Sequence, residues 1–488
     1  MARHARAASV RGMNRSSRLA ALLGAFAFCS SPLAAQSGQE TSHLFADAEA
    51  GTRFGLHVTD EAGREIVSIA ADDRFVPASN TKLYTTALAF ETLSVEGPDE
   101  RGGASVSLRP AAGAPDVILS GFGDARLSSA ADCEVDCLAE LADSVAATVR
   151  TVGDVVGDDS YFPDERWPGG MSWNNMVTRY GTAISALTVD DNEWTFTLSP
   201  APVGERAEAS GDGYYTLRSA VTVGNSTDLM TMRQPGTDIL RVAGTVAQDA
   251  LPYRMRLGVE DPARRAAWLL RNMLEDRGVT VTGSVTVRHR PLTPADEAGA
   301  EPVRPPRGPA LAKLTPPPLS EDILRVNKES QNLHAELLLR RAGAAGGSGS
   351  VASGLLKEEA MLDRAGVERW RYDFADGSGM SNYNRVTPRG TVAFLRWTQT
   401  RPWGAAWRET LPVAGVDGTL ARRFEGTPLE GKLFAKTGSL NGASALSGFL
   451  IAASGRTLIF SVLANDMPAG VSATDDMDAA LLRVAAAN

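Results

Sequence analysis

The sequence predicts an α+β multidomain protein in which helices surround a five-stranded antiparallel sheet. Segments 53–58 and 65–70 alternate in polarity on either side of a turn, as a β-hairpin does, and segments 445–452 and 457–464 form a second hairpin around the turn at 454–456. A fifth strand is expected at 433–436. Because these strands come from both ends of the chain, the domain that they build is predicted to be discontinuous. The middle of the chain alternates short strands with Gly- and Pro-rich turns, which indicates inserted, mainly β parts, one nested within the other.

Composition places the chain among soluble globular proteins of about three domains. Hydrophobic residues make up 43% and charged residues 22% of the sequence. The net charge of −9 argues against general nucleic-acid binding.

The N-terminus has the organisation of a secretory signal. Five arginines between positions 3 and 18 precede an apolar stretch at 19–29, and small residues follow up to Ala35. We therefore expect cleavage near Ala35, so that residues 1–35 are a signal peptide and the mature protein is exported to the periplasm. Translation from either Met1 or Met13 is compatible with this pattern.

Two cysteines, Cys133 and Cys137, remain after the signal, in an oxidising compartment. They form either a disulfide, if the backbone between them is not yet helical, or two buried free thiols. No metal or other cofactor is expected, because the histidines form no cluster with metal-ligand spacing. These histidines are His4, His43, His57, His289 and His334.

A predicted helix that begins near Ser79 carries the first candidate catalytic residues. Residues three apart on a helix are neighbours, so the Ser79 hydroxyl and the Lys82 amine are expected to meet at its N-terminal end. A serine needs a base to become a nucleophile, and a lysine is such a base when burial and a neighbouring cation lower its pKa. A Ser-x-x-Lys match on its own is weak, because it arises readily by chance.

Two later motifs make the Ser-x-x-Lys match more specific. Ser330 and Asn332 form a Ser-x-Asn motif near the start of a predicted helix at 330–341, and Lys436-Thr437-Gly438 occurs once, on a predicted strand. The three motifs, in this order, are those of serine acyl-transfer enzymes that handle penicillin or D-alanyl peptides. On a strand Thr437 and Ser439 share one face and can bind a carboxylate, while Gly438 leaves room for a substrate backbone.

The chain resembles the D-alanyl-D-alanine carboxypeptidase/endopeptidases, the class C low-molecular-mass penicillin-binding proteins. The segments that carry the resemblance include 75–82, 326–336, 376–381, 411–420 and 435–440, and it extends to 157–162 and 185–187. A gap of 248 positions between Lys82 and Ser330 is typical of this family, in which two inserted domains occupy it.

The resemblance implies a penicillin-binding/β-lactamase-like transpeptidase domain at 36–98 plus 312–488. It implies inserted domain II at 99–198 plus 288–311 and inserted domain III at 199–287. The implied catalytic residues are Ser79, Lys82, Ser330 and Lys436, and the implied substrate-binding residues are Asn332, Thr437, Gly438 and Ser439. Peptidoglycan peptides are the implied substrates and β-lactams the inhibitors, with peripheral membrane or wall association as a further option.

One segment departs from the family pattern. A loop rich in aromatic residues and glycine, the middle loop, covers residues 167–180. The family often has an acidic residue after the tryptophan of this loop, near the pocket for the substrate's side chain, and here Asn174 and Asn175 follow Trp173. Recognition of a free amino group on that side chain is therefore in question. Two alternatives to a DD-peptidase stay open, a secreted serine β-lactamase and a catalytically inactive peptidoglycan-binding protein. The balance between carboxypeptidase and endopeptidase activity and the oligomeric state are also open.

Overall fold

A computed structural model describes residues 44–488 apart from residues 47, 235 and 305–306. The predicted signal peptide, residues 1–35, lies outside the described residues. Among the residues that are described, no helix has both the length and the apolar character that crossing a membrane requires.

Twenty strands are described in this part of the chain. In chain order they are β1 (Arg53–Asp60), β2 (Glu65–Ile69), β3 (Ser105–Arg109), β4 (Asp116–Ser120), β5 (Thr151–Val152), β6 (Val155–Asp158), β7 (Glu193–Leu198), β8 (Ala209–Ser210), β9 (Thr216–Gly224), β10 (Asp228–Arg233), β11 (Ile239–Ala247), β12 (Tyr253–Gly258), β13 (Thr280–Val281), β14 (Val285–Arg288), β15 (Ala312–Lys313), β16 (Tyr372–Asp373), β17 (Arg385–Val386), β18 (Leu433–Leu440), β19 (Ala443–Ile451) and β20 (Thr457–Asn465).

Ten α-helices are described in the same residues. They are α1 (Thr81–Thr92), α2 (Leu138–Thr148), α3 (Pro262–Asp276), α4 (Pro294–Glu297), α5 (Leu319–Lys328), α6 (Asn332–Ala344), α7 (Val351–Arg364), α8 (Pro388–Thr398), α9 (Gly404–Glu409) and α10 (Thr474–Ala487).

The predicted five-stranded antiparallel sheet is confirmed, with the strand order β18-β19-β20-β1-β2. Its central strands β19 and β20 are buried on both faces. On β20, Ile459 belongs to a core that includes α1 and α8, while Phe460 belongs to the opposite core, which includes α10. Helices on both faces explain why β19 and β20 read as continuous apolar runs rather than as alternating ones. Strand β18 is an edge strand of this sheet, and the outer side of its first residues pairs with the segment at 412–414.

The middle of the chain forms the nested insertions. A mixed five-stranded sheet in the order β14-β6-β4-β3-β15 packs against α2 and α3, and two three-stranded sheets, β10-β11-β9 and β12-β7-β8, lie further in along the sequence. The strand-rich interpretation of this region is thus confirmed, and α2 and α3 supply the helices of the outer insertion.

The packing supports different domain boundaries from those that the sequence suggested. Strand β14 pairs in parallel with β6, β15 pairs with β3, and Ala263 of α3 lies in the same core as Val106 of β3. The inner insertion is closed by the pairing of β7 with β12, from Glu193 to Gly258. We therefore propose that the inner insertion covers roughly residues 193–258, rather than 199–287, and that the outer one continues to β15.

The disulfide between Cys133 and Cys137 is formed, with 5.8 Å between the two Cα atoms. It closes the turn immediately before α2, where Cys137 is still extended and Asp136 has a φ of 60°. The condition that the sequence set, a backbone that is not yet helical, is met because α2 begins at Leu138.

Candidate active site

The Ser79 turn brings a hydroxyl and an amine together at the start of α1. Residues Ala78–Asn80 form a 3-10 turn, Ala78 has a φ of 47°, and α1 begins at Thr81. Ser79 is half-buried, and Lys82, one turn later, is completely buried. The Lys82 Nζ lies 2.9 Å from the Ser79 Oγ, as the spacing of three residues predicts.

Two further acceptors fix the orientation of the Lys82 amine. Its Nζ lies 2.7 Å from the Asn332 Oδ1 and 2.5 Å from the carbonyl oxygen of Ser378. Neither oxygen can donate a proton, so both must accept from Lys82. A neutral amine has two N–H groups and one lone pair. When both N–H groups are used in this way, the lone pair is directed at the Ser79 hydroxyl.

Burial is what makes Lys82 a usable base. Desolvation lowers the pKa of Lys82 to about 7, while the carboxyl groups of Asp376 and Glu336 act in the opposite direction. The sequence analysis named burial and a neighbouring cation as causes. Burial is the larger effect at Lys82, and the pKa of the nearby Lys436 is itself lowered, first by burial and then by the charge of Lys82.

A second pair, Ser330 and Lys436, faces the first. The buried Lys436 Nζ donates to the Ser330 Oγ at 3.0 Å and to the carbonyl oxygen of Thr437 at 3.0 Å. The sequence placed Ser330 within or at the cap of a helix. Instead it lies in the break between α5 and α6, with a φ of 62°, and Gln331 is the residue that caps α6. This break directs the Ser330 hydroxyl at Lys436.

Strand β18 passes directly against the Ser79 turn. A Cβ atom on Gly438 would lie 2.6 Å from the Pro77 carbonyl oxygen and 3.0 Å from the Ser79 amide nitrogen. The space that glycine leaves is therefore occupied by the Ser79 turn, whereas the sequence interpretation reserved it for a substrate backbone. The Asn80 side chain donates to the Lys436 carbonyl oxygen at 2.8 Å, which adds a hydrogen bond between β18 and the Ser79 turn.

These groups open into a cleft of roughly 590 Å³. Thr437, Gly438 and Ser439 form one wall, and Thr437 donates to or accepts from Thr419 through hydroxyls 2.7 Å apart. The cleft is lined by Ser79, Ser172, Asn175, Tyr180, Glu329, Ser330, Asn332, Met380, Asn382, Thr419, Thr437, Gly438, Ser439, Leu440 and Asn441.

The middle loop also lines the cleft, through Ser172, Asn175 and Tyr180. The Asn332 amide donates to the Tyr180 carbonyl oxygen at 2.8 Å, and Ser381 donates to the Gly169 carbonyl oxygen at 2.7 Å. Of the two asparagines that replace the usual acidic residue, Asn175 lines the cleft and Asn174 is exposed outside it. The wall contributed by the middle loop is thus polar and uncharged.

All eight residues that the sequence singled out converge on this region. Sequence reasoning assigned no role to Tyr180, Ser378, Asp376 and Glu336. Tyr180 and Ser378 act through backbone carbonyls, which leave no signature in a sequence. Glu336 could have been found, since it lies four residues after Asn332 on the same face of α6.

The antiparallel sheet, the serine–lysine pair at a buried helix start and the second pair on an edge strand define a class of protein. It is the class of serine acyl-transfer enzymes that recognise penicillin and D-alanyl peptides.

Within this class, the chain belongs to the D-Ala-D-Ala carboxypeptidase 3 (S13) family, whose profile matches residues 38–487. It is 36% identical over 476 residues to a D-alanyl-D-alanine carboxypeptidase of an Actinomadura species, which covers 91% of this chain and 84% of that protein. The D-alanyl-D-alanine carboxypeptidase DacB of Haemophilus influenzae is 26% identical over 329 residues, covering 65% of this chain and 66% of that one. The protein is accordingly a serine DD-peptidase that acts on peptidoglycan.

Solved structures with a similar fold include a penicillin-binding protein. The crystal structure of penicillin-binding protein 4 (dacB) from Haemophilus influenzae matches with a TM-score of 0.76 and 22% identity, covering 91% of this chain and 98% of that one. A structure of the same protein complexed with a β-lactam matches with a TM-score of 0.72 and 22% identity, covering 91% and 97%.

Proposed function

We propose that this DD-peptidase works through an acyl-enzyme on Ser79, with Lys82 as the base. The observation that carries the proposal is the buried Lys82 amine, 2.9 Å from the Ser79 Oγ, whose other two contacts are acceptors only. An amine with a pKa of about 7 is half neutral near that pH, which suits a general base.

In the acylation step, Lys82 takes the Ser79 proton while the Ser79 oxygen attacks the carbonyl carbon between two D-alanine residues. The oxyanion that forms is stabilised by the backbone N–H groups of Ser79 and Ser439. The proton then passes to the leaving amine through Ser330, which is hydrogen-bonded to Lys436. The C–N bond breaks, and the acyl group remains on Ser79 until water hydrolyses the ester.

The same geometry supports the roles of the substrate-binding residues. Thr437 and Ser439 lie on one face of the edge strand β18 and hold the carboxylate of the leaving group. Asn332 binds the amide on the acyl side as well as Lys82. Gly438 contributes by letting β18 lie against the Ser79 turn.

We also propose that β-lactams acylate the protein and that it is located in the periplasm. A β-lactam enters the cleft as a substrate does, acylates Ser79 and leaves slowly, whereas a β-lactamase would release it rapidly. The predicted signal peptide, residues 1–35, would export the protein to the periplasm, where its substrate is found.

Labelling with a fluorescent penicillin tests the nucleophile. The wild-type protein and Ser79→Ala are incubated with the label, next to Ser454→Ala, which alters an exposed serine in the turn between β19 and β20. We expect covalent label on wild type and Ser454→Ala and none on Ser79→Ala. Label on Ser79→Ala at the wild-type level would overturn the proposal. Mass spectrometry of muropeptides then separates loss of terminal D-alanine from cleavage of cross-links.

A further inference from the structure

A loop of residues 376–381 contacts the Lys82 amine. The carbonyl oxygen of Ser378 in this loop lies 2.5 Å from the Lys82 Nζ. Two buried carboxylates hold this loop through its backbone N–H groups. Asp376 accepts from Gly379 at 2.9 Å and from Ser381 at 2.6 Å. The second carboxylate, Glu336 of α6, accepts from Gly377 at 3.1 Å and from Ser378 at 2.9 Å.

The loop is fixed against the Ser79 turn as tightly as β18 is. A Cβ atom on Gly379 would lie 1.9 Å from the Ala78 carbonyl oxygen, and Gly379 has a φ of +87°. Neither the carboxylates nor the loop reaches the cleft with a reacting atom. Both carboxylates are nonetheless almost completely buried, Asp376 at 0% and Glu336 at 2% exposure, where a charge is costly unless it serves an interaction.

We propose that Asp376 and Glu336 are positioning residues for acylation: they hold the loop that presents the Ser378 carbonyl to the Lys82 amine. This inference rests on the proposed function, in which Lys82 is the base. Burial on its own would lower the pKa of the amine further, and a weaker base takes the Ser79 proton less readily. The two negative charges offset part of that effect and leave the amine with a pKa of about 7.

The other charged groups around Lys82 decide which substitution is informative. The charge of Lys82 lowers the pKa of the buried Lys436, which favours the uncharged form of Lys436. Arg340 donates to Glu336 at 2.7 Å and offsets part of its charge. Glu358 of α7, near Asp376 and Glu336, is buried, and neither of its carboxyl oxygens has a hydrogen-bond partner. Burial raises the pKa of Glu358 well above its usual value, which favours the uncharged form of this carboxyl.

The test is the pH dependence of the second-order rate constant for acylation by a chromogenic cephalosporin, between pH 6 and 8.5. This range is chosen because burial and Glu336 raise the pKa of Asp376 to about 6, so that below pH 6 the wild type loses the charge too. In Asp376→Asn we expect the acidic limb to move to lower pH by about one unit. In Glu336→Gln we expect a shift in the same direction that is smaller, because Arg340 already offsets part of the Glu336 charge. In the matched control Glu358→Gln, the limb stays where it is.

The outcomes separate this inference from the proposed function. A uniform loss of rate with an unmoved limb in both Asp376→Asn and Glu336→Gln would mean that the loop and its carboxylates do not act through the Lys82 amine, and it would overturn the inference. A shift in Glu358→Gln equal to that in Asp376→Asn would overturn it as well. Neither result bears on Ser79, whose role fails only if Ser79→Ala is still labelled. If Asp376→Asn does not fold, Glu336→Gln carries the test.

Discussion

Replacing Gly438 by alanine is expected to slow acylation of Ser79 by about 100-fold in a protein that still folds. The added methyl group would lie 2.6 Å from the Pro77 carbonyl oxygen and 3.0 Å from the Ser79 amide nitrogen. Ordinary contacts of a Cβ atom begin near 3.4 Å, so β18 and the Ser79 turn must separate by roughly an ångström. Both neighbours are backbone atoms, which cannot rotate away.

Separation on that scale acts on two quantities. It moves Ser439 and its N–H group away from Ser79, and a misplacement of about 1 Å between catalytic groups costs on the order of 100-fold in rate. Overpacking of a buried site lowers the free energy of unfolding by about 1–3 kcal/mol. The sheet and both of its cores remain, so the fold is retained.

The assay is the second-order rate of labelling by a fluorescent penicillin, together with urea unfolding. Gly113→Ala is the matched control, because a Cβ atom there meets nothing within 4 Å. The control should label at the wild-type rate and unfold within about 0.5 kcal/mol of wild type. Wild-type labelling by folded Gly438→Ala would refute the close approach of β18 to the Ser79 turn.

Three further predictions concern other parts of the molecule. Asn80→Ala removes the buried hydrogen bond to the Lys436 carbonyl oxygen and should lower the free energy of unfolding by about 1–3 kcal/mol, measured in urea; an unchanged midpoint would contradict it. The protonated His289 donates hydrogen bonds to Asp159 and Asp261, which raise its pKa to about 10. Its ion pairs therefore stabilise the protein fully below about pH 6.5, and this stabilisation is lost as the pH rises to about 10. The melting temperature of His289→Gln should therefore lie further below wild type at pH 6 than at pH 9.5, and an equal gap at both would count against this. Reducing the Cys133–Cys137 disulfide should cost about 2 kcal/mol of stability and leave penicillin labelling intact, because the bridge lies in the outer insertion; a slower rate of labelling would show otherwise.

The contact between Ser79 and Lys82 could be expected from the sequence, whereas the packing partners of α3 and β14 could not, for physical reasons. Ser79 and Lys82 are neighbours by helix geometry, so their contact follows from spacing alone. The five-stranded sheet follows from hairpins, which are local. The parallel pairing of β14 with β6 joins segments about 130 positions apart, and nothing local marks it. For this reason α3 and β14 were expected with the inner insertion and pack with the outer one.

The electrostatics of the site were also only partly predictable. The sequence contains both lysines, and so the idea that one lowers the pKa of the other could be formed from it. Complete burial of Lys82 and Lys436 is a property of the assembled fold, and it is the larger effect at both amines. Asp376 and Glu336, which act against that burial, come from a loop and a helix that meet only in the folded protein.

The most direct test is the rate of acylation of the wild-type protein by a chromogenic cephalosporin, followed as a function of pH. If the neutral Lys82 amine takes the Ser79 proton, the rate should be half-maximal near pH 7, where the pKa of Lys82 lies, and fall about fivefold between pH 7 and pH 6. A rate that does not change between pH 5.5 and 8.5, or one that is half-maximal near the ordinary pKa of a lysine, would contradict a buried, neutral Lys82 as the base.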